Sequence, residues 1–384
     1  MKIFGVNLNI LLLGIVSFLT DVSSEMIFSV FSIFFTAIIG GTTALLGIVE
    51  GLADFSASSL DYIAGYLSDK TGKHKTYAMI GYGFSTLAKA SLLTASTVHS
   101  LFAFRIVERL GKSFRGPPRD SWIAAISEKQ TRGYSFGIHK ALDKAGAVLG
   151  PFIAFLLLSW LGQNISTFKL LFVIALVPAA LSVILLLFIR DKKSKPAKKE
   201  NIFKAYFTLN KEFKRYLFIA CLFSLAYFSF SFLLLKAYQA GFAIKDVVLL
   251  YALFNISFVL VSAPIGKLGD KIGRSRIIML SYLLYLLMCV GFIFATSKAM
   301  IILLFIIFGI FFAIDEGQTK AYISDLEKSR GTAIGVYNFF TGLVYLPASV
   351  IAGWLWMIKP EYAFAFAGAI SFTALILFTV QTHR

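Results

Sequence analysis

Two stretches of the sequence are versions of one another. Gly65-Tyr-Leu-Ser-Asp69-Lys-Thr-Gly72-Lys-His-Lys75 returns as Gly266-Lys-Leu-Gly-Asp270-Lys-Ile-Gly273-Arg-Ser-Arg276. Each copy follows a long apolar segment and precedes another. A second echo supports duplication: Arg132-Gly-Tyr-Ser-Phe-Gly137 returns as Arg330-Gly-Thr-Ala-Ile-Gly335. A chain built this way is expected to fold as two copies of one membrane-embedded unit, an arrangement common among transporters.

The apolar segments are too numerous for a water-soluble core. Hydrophobic residues make up 58% of 384 and charged residues 15%, with a mean hydropathy of +0.79. A membrane helix needs about 20 mostly apolar residues. Twelve such spans are predicted, at roughly 8–37, 43–67, 76–96, 99–122, 133–160, 168–189, 214–238, 244–267, 276–296, 299–319, 331–356 and 361–381. The expected fold class is therefore an all-α membrane protein, with six-helix bundles at 1–189 and 214–384 joined by a linker at 190–213. Within the linker, Ile202, Phe203, Tyr206 and Phe207 recur at helical spacing among lysines, which predicts a short helix on the inner membrane face.

The formal net charge is +17, yet no basic soluble domain exists to bind nucleic acid. The excess lies in short segments between spans. One set of loops holds Lys70, Lys73, Lys75, Lys129, Arg132, Lys271, Arg274, Arg276, Lys328, Arg330 and the lysine-rich linker; the other holds little beyond His99, Lys245, Lys298 and Lys359. The positive-inside rule places the first set and both termini in the cytoplasm. Cys221 and Cys289 lie within apolar runs, as small core residues do. No metal-ligating cluster, nucleotide loop or nucleophile motif is present in the sequence. An enzyme, a resident metal or a cofactor is not expected.

Ionisable residues at bilayer depth are costly, and they are functional or paired. Asp21 and Glu25, Glu50 and Asp54, Arg105 and Arg109, and His139 and Asp143 are each four apart and so share a helix face. At ~1.5 Å per residue, Asp21 lies about 20 Å and Asp143 about 15 Å from its helix start, near mid-membrane. These faces are expected to converge on a polar interior. Two roles remain open for each group: a static salt-bridge network, or a working site. In the second reading Asp21, Glu25, Glu50, Asp54, His139 and Asp143 are proton-coupling candidates. Arg105, Arg109, Lys112 and Lys140 would hold a charged group of a substrate. His139 could equally be a structural donor.

Arg115, Arg119 and Asp120, beside Pro117-Pro118, are expected to gate by pairing with the turn at Asp69. The second half offers Asp315, Glu316 and Lys320, and otherwise aromatics: Tyr227, Phe228, Tyr251, Phe254, Phe258, Phe311, Phe312, Tyr337, Phe339 and Tyr345, with Asn338 among them. Tyr337, Asn338 and Glu316 complete the substrate candidates, and a site charged on one side and aromatic on the other favours an amphiphilic ligand.

The repeated turn resembles the loop motif of the major facilitator superfamily, with both copies in the expected places. The resemblance covers the whole chain. It implies that Gly65, Asp69, Lys70, Gly72 and Lys73, echoed by Asp270, Gly273 and Arg274, belong to cytoplasmic gates. Gly137, Gly146, Gly150 and Pro151 resemble the antiporter motif of drug and metabolite exporters, although Ala154 and Phe155 replace its final glycine pair. The patterns of span four, Thr20 to Glu25 and His139 to Asp143 are similar to a little-characterised prokaryotic branch. Ser113 stands where that branch has Gly, and Asp61 where it has a base. The resemblance implies a monomeric secondary transporter of the prokaryotic plasma membrane. It would move a small molecule or ion, most simply by proton-coupled antiport and alternatively by proton-coupled uptake of an organic anion or metal chelate. A non-transporting membrane sensor is the distant alternative.

Overall fold

A computed structural model of the chain describes residues 2–3, 6–128, 131–189, 202–327 and 329–382. Lys129, Lys328, the lysines of 190–201 and the outermost terminal residues, used above for orientation, lie outside the described residues. The helices follow the apolar segments: α1 (Leu8–Ile33, continued by a π-helical turn at Phe34–Ile38), α2 (Thr43–Thr71), α3 (His74–Ser91), α4 (Val98–Ile126), α5 (Arg132–Leu161) and α6 (Ile165–Phe188). After the linker come α7 (Ile202–Thr208), α8 (Lys211–Ala226), α9 (Ser231–Gln239), α10 (Ile244–Ile272), α11 (Arg274–Phe294), α12 (Lys298–Leu326), α13 (Arg330–Ile358) and α14 (Pro360–Thr382). A two-residue hairpin, Lys2–Ile3 with Val6–Asn7, is a small departure from an all-helical chain.

Every expected span corresponds to a helix, with α8 and α9 sharing the seventh. Among the described residues, nine spans are long and apolar enough to cross a membrane. The others, α2, α3 and α4, carry too many polar residues to meet that standard. The break in span seven was not expected. At Tyr227–Phe230 the helix stops, and side chains satisfy the backbone it leaves open. Ser229 N–H donates to Ser349 Oγ (3.3 Å), Ser231 N–H to Ser229 Oγ (3.3 Å), and the Tyr285 hydroxyl to the Ala226 carbonyl (2.7 Å). The short α7 forms where the linker was expected to be helical. Its Phe203 and Tyr206 meet Phe339 and Phe340 of α13 at 5.6 and 5.3 Å between ring centres.

The chain gathers into two compact units. The first comprises Met1–Gly40, Leu60–Lys199 and Ala243–Ala252; the second comprises Gly41–Ser59, Glu200–Phe242 and Leu253–Arg384. The two divided helices, α2 and α10, are the ones that end in the repeated turn. Each turn is closed by a glycine in the left-handed region, Gly72 (φ 66°) and Gly273 (φ 97°). Their N–H groups donate to the Ser68 and Gly269 carbonyls, as in an αL helix cap. The motif's glycines are thus dictated by backbone geometry.

In the first unit α1 lies against α5 and α6, and α3 against α4 and α6. Its core at one end joins Ile10, Leu13 and Val16 of α1 to Tyr82 of α3, Trp122 and Ile123 of α4, and Leu186 of α6. Helices α1 and α5 approach so closely that a Cβ on Gly146 would strike the Phe18 carbonyl, and one on Gly150 the Val22 carbonyl. Gly137, the first glycine of the same motif, faces open space. Valine at Gly146 or Gly150 should therefore overpack the pair and cost about 1–3 kcal/mol, whereas Gly137→Ala should be neutral. Melting temperatures of the purified variants check this; equal shifts at all three positions would refute the close-approach account.

Candidate functional site

Helix α4 supplies most of the charge. Arg105, Arg109, Lys112, Arg115 and Arg119 follow one another at three- or four-residue steps, so they form a stripe along one face, with Glu108 one turn after Arg105. At its start the stripe is self-neutralising. Glu108 lies 3.4 Å from Arg105 and 3.9 Å from Arg109. Both guanidinium groups also sit over the Phe28 ring, at 4.6 and 5.7 Å from its centre. Glu108, which the sequence reading did not single out, holds two of the expected substrate-binding arginines. Lys89 of α3, fully buried, donates to Ser24 Oγ of α1 (2.9 Å).

Midway, Arg115 turns to α3, donating to Ser85 Oγ (3.0 Å) and covering the Tyr82 ring at 5.3 Å. Lys112 is exposed and lies within electrostatic range of Asp21, Glu25 and Glu108. Ser113, one of the two positions at which the sequence departs from its branch, donates its hydroxyl to the Arg109 carbonyl of its own helix (3.1 Å).

Further along, three helices meet at one carboxylate. Ser17 of α1 donates to Asp143 Oδ1 of α5 (2.6 Å), and Arg119 of α4 donates to Ser17 Oγ (2.8 Å) and lies 3.7 Å from the same Asp143 oxygen. Lys140, one turn earlier on α5, approaches Asp143 Oδ2 at 3.5 Å, and Asp120 pairs with Arg119 at 3.1 Å. His139 is buried beside this group, and its Nε2 has no hydrogen-bond partner among the described residues. Asp21 lies within electrostatic range of Asp143 and Glu25. Glu25 accepts a short hydrogen bond from the Tyr251 hydroxyl of α10. Ser17 could have been found from the sequence, because it precedes Asp21 by one turn; Tyr251 could not.

At the first repeated turn, Asp69 accepts from Ser121 of α4 (3.0 Å) and lies 4.0 Å from the His74 ring. Arg115 and Arg119, expected near this turn, are directed at α3 and at α1 and α5. Lys70 and Lys73 are exposed and Gly65 is buried. At the second turn Asp270 pairs with Arg274 (3.0 Å), which also bonds Asp325 of α12. The duplicated motif thus uses different partners in its two copies.

Glu50 and Asp54 belong to the stretch of α2 that lies in the second unit. There the fully buried Glu50 accepts from Ser229 Oγ at the break in span seven (3.1 Å). Asp54 lies within electrostatic range of Tyr227 and Tyr345. These two tyrosines, with Tyr285 and Phe311, form a continuous ring network at centre distances of 4.8–6.1 Å. Tyr337 continues it by stacking on Tyr216 at 6.1 Å. Asn338 and Glu316 are both half-buried.

The model of the Major Facilitator Superfamily matches residues 13–314 and 237–384. An uncharacterized MFS-type transporter of Methanocaldococcus jannaschii is 37% identical over 377 residues, covering 96% of this chain and 94% of that protein. Multidrug resistance protein 2 of Bacillus subtilis is 26% identical, covering 87% and 86%. Among solved structures, the nucleoside transporter NupG superposes with a TM-score of 0.82 at 13% identity, covering 97% of this chain and 99% of that one. A peptide transporter solved with sulfate gives 0.75 at 15% identity, covering 100% and 95%. Twelve helical spans, a duplicated glycine-closed turn and a family match along both halves lead to one conclusion: the chain belongs to the major facilitator superfamily of membrane transporters.

Proposed function

We propose that the chain is a proton-coupled antiporter that exports a small amphiphilic solute by alternating access. One observation carries the coupling: Asp143 is bound at once to Ser17 of α1, Arg119 of α4 and Lys140 of α5. A proton arriving at Asp143 would cancel two ion pairs and release contacts among three helices together. An equilibrium that differs in those contacts would then be biased by protonation. Buried His139 and nearby Asp21 and Glu25 lie where they could pass the proton on. Similarity to multidrug resistance proteins of Bacillus subtilis supports export as the direction. Both termini are assigned to the cytoplasm on the distribution of Lys and Arg.

In this reading Arg105 and Arg109 are structural cations locked by Glu108. Glu108→Gln would leave two desolvated guanidinium groups without their carboxylate, a loss of about 3–5 kcal/mol. It should show as a lower melting temperature of the purified protein, and an unchanged one would refute the lock.

Coupling is tested in proteoliposomes with an acidic lumen, using ethidium and anilinonaphthalene sulfonate as cationic and anionic amphiphiles. At least one should accumulate inside while lumenal protons leave. Asp143→Asn should abolish gradient-driven uptake and leave downhill exchange intact. Solute and protons moving together would replace antiport by symport, and transport indifferent to pH would refute coupling.

A further inference from the structure

The short α7 presents two different sides. Ile202 and Ala205, one turn apart, are buried, as is Leu209 just beyond the helix. Lys204, Phe207 and Thr208 are exposed, the Phe207 ring at 76%. The junction with α8 is fixed by polar contacts. Asn210 caps α8 by accepting from the Phe213 N–H (2.7 Å), and its side-chain amide donates to the Leu326 carbonyl at the end of α12. Glu327 accepts from the Asn210 N–H. Lys214 Nζ donates to the Phe207 carbonyl (3.0 Å) and lies 5.3 Å from the centre of the Tyr206 ring. Helix α8 opens an apolar span that runs from Lys211 to Gln239. Three residue steps separate Thr208 from Lys211, a reach of about 10 Å. Helix α7 therefore lies at the level where that span enters the bilayer.

Helix α8 shows which side faces lipid. Tyr216 packs on Tyr322, Tyr337 and Phe378 of α12, α13 and α14 and marks the side turned to the other helices. Phe218, two residues on, points nearly the opposite way, about 200° around the axis. It is 67% exposed. Lys211 and Arg215 precede Phe218 by seven and three residues and share its face, and both are exposed. Phe218 lies about 10 Å beyond Lys211 along the helix. The face thus carries a ring at the depth of the acyl chains and two cations at the depth of the headgroups. Glu212, the opposing charge in this turn, precedes Tyr216 by four residues and so lies toward the bundle. Around the junction Lys204, Lys211, Lys214 and Arg215 stand against Glu212 and Glu327.

Exposed cations beside an exposed ring at headgroup depth match an anionic lipid surface. The cations meet phosphate, the ring enters the boundary of the acyl chains, and the lysine stems cover apolar surface. A zwitterionic headgroup offers the same phosphate with its charge offset by an amine. We propose that Lys204, Lys211 and Arg215, with the Phe207 ring, form a binding site for the headgroup of an anionic phospholipid. Helix α7 is joined to α13 by the Phe203 and Tyr206 rings, and its junction to α12 through Asn210. A lipid held there ties the linker to the second unit at the membrane surface. The site shares no residue with those assigned to the solute or to the proton, so it stands or falls apart from the antiport reading.

The test is native mass spectrometry of the purified full chain, released from micelles that hold equal amounts of phosphatidylglycerol and phosphatidylcholine. The wild type should retain phosphatidylglycerol at least about fivefold over phosphatidylcholine, the effect of one cation near the surface. The triple variant Lys204→Gln, Lys211→Gln, Arg215→Gln should bring that ratio to within about twofold of unity. Lys204→Arg with Lys211→Arg should keep it. A control of equal charge, Lys267→Gln, Lys271→Gln, Arg276→Gln, removes three exposed cations at the second repeated turn and should also keep it. Phe207→Ser should lower retention of both lipids by about threefold or more and leave their ratio unchanged. Glycerol phosphate at the concentration of the lipid should not displace it. Size-exclusion profiles and melting temperatures establish that each variant is folded. The proposal is overturned if the wild type shows no preference, or if the folded triple variant keeps at least half of it. It is equally overturned if the control loses as much as the triple variant, or if glycerol phosphate displaces the lipid.

Discussion

A charge that cannot reach water must be answered by the protein itself, and the first unit is organised around that demand. Glu108 answers Arg105 and Arg109, Asp143 answers Arg119, and Ser24 and Ser85 serve Lys89 and Arg115. None of these partners is optional in a low-dielectric interior, where an ion left alone costs several kcal/mol. The charged stripe of α4 therefore sets which faces of α1, α3 and α5 must turn toward it. Small residues then let those helices come close enough, as Gly146 and Gly150 do for α5 against α1.

Duplication preserved the frame and let the chemistry diverge. Both copies keep the glycine-closed turn, and α4 and α12 keep the same length and a hydroxyl cap, because these depend on backbone geometry. The side chains along α4 and α12 were free to change together with their neighbours. In α4 the stripe is ionic and held by carboxylates and hydroxyls. In α12 the positions equivalent to Arg105, Glu108 and Lys112 are Phe305, Phe308 and Phe312, and Asp315 stands where α4 has Arg115.

The twelve spans, the α7 segment and the turn glycines were legible in the sequence, since hydropathy, helical period and positive-φ glycines are local properties. Charge pairs one turn apart were legible for the same reason: Lys140 with Asp143 and Arg105 with Glu108 need only helix geometry. The partner of Glu25 was not, because Tyr251 lies on another helix. Nor was the break in span seven, which depends on Ser349 of α13 supplying a hydrogen bond to a backbone that would otherwise have stayed helical. Glu50 and Asp54 share a helix face as expected, but no local rule could assign that face to the second unit.

The sequence by itself determined that this chain is a duplicated helical membrane protein of the major facilitator type, with its ionisable groups concentrated in the first half. Apolar length, lysine and arginine placement and the repeated turn are written residue by residue, so no folding is needed to read them. Only the tertiary structure decided which charges answer which. It joined Asp143 to Ser17 of α1 and Arg119 of α4, directed Arg119 away from the Asp69 turn and brought Tyr251 to Glu25. The reason is that electrostatic partnership depends on distance in space, and helices far apart in sequence set that distance only when they pack.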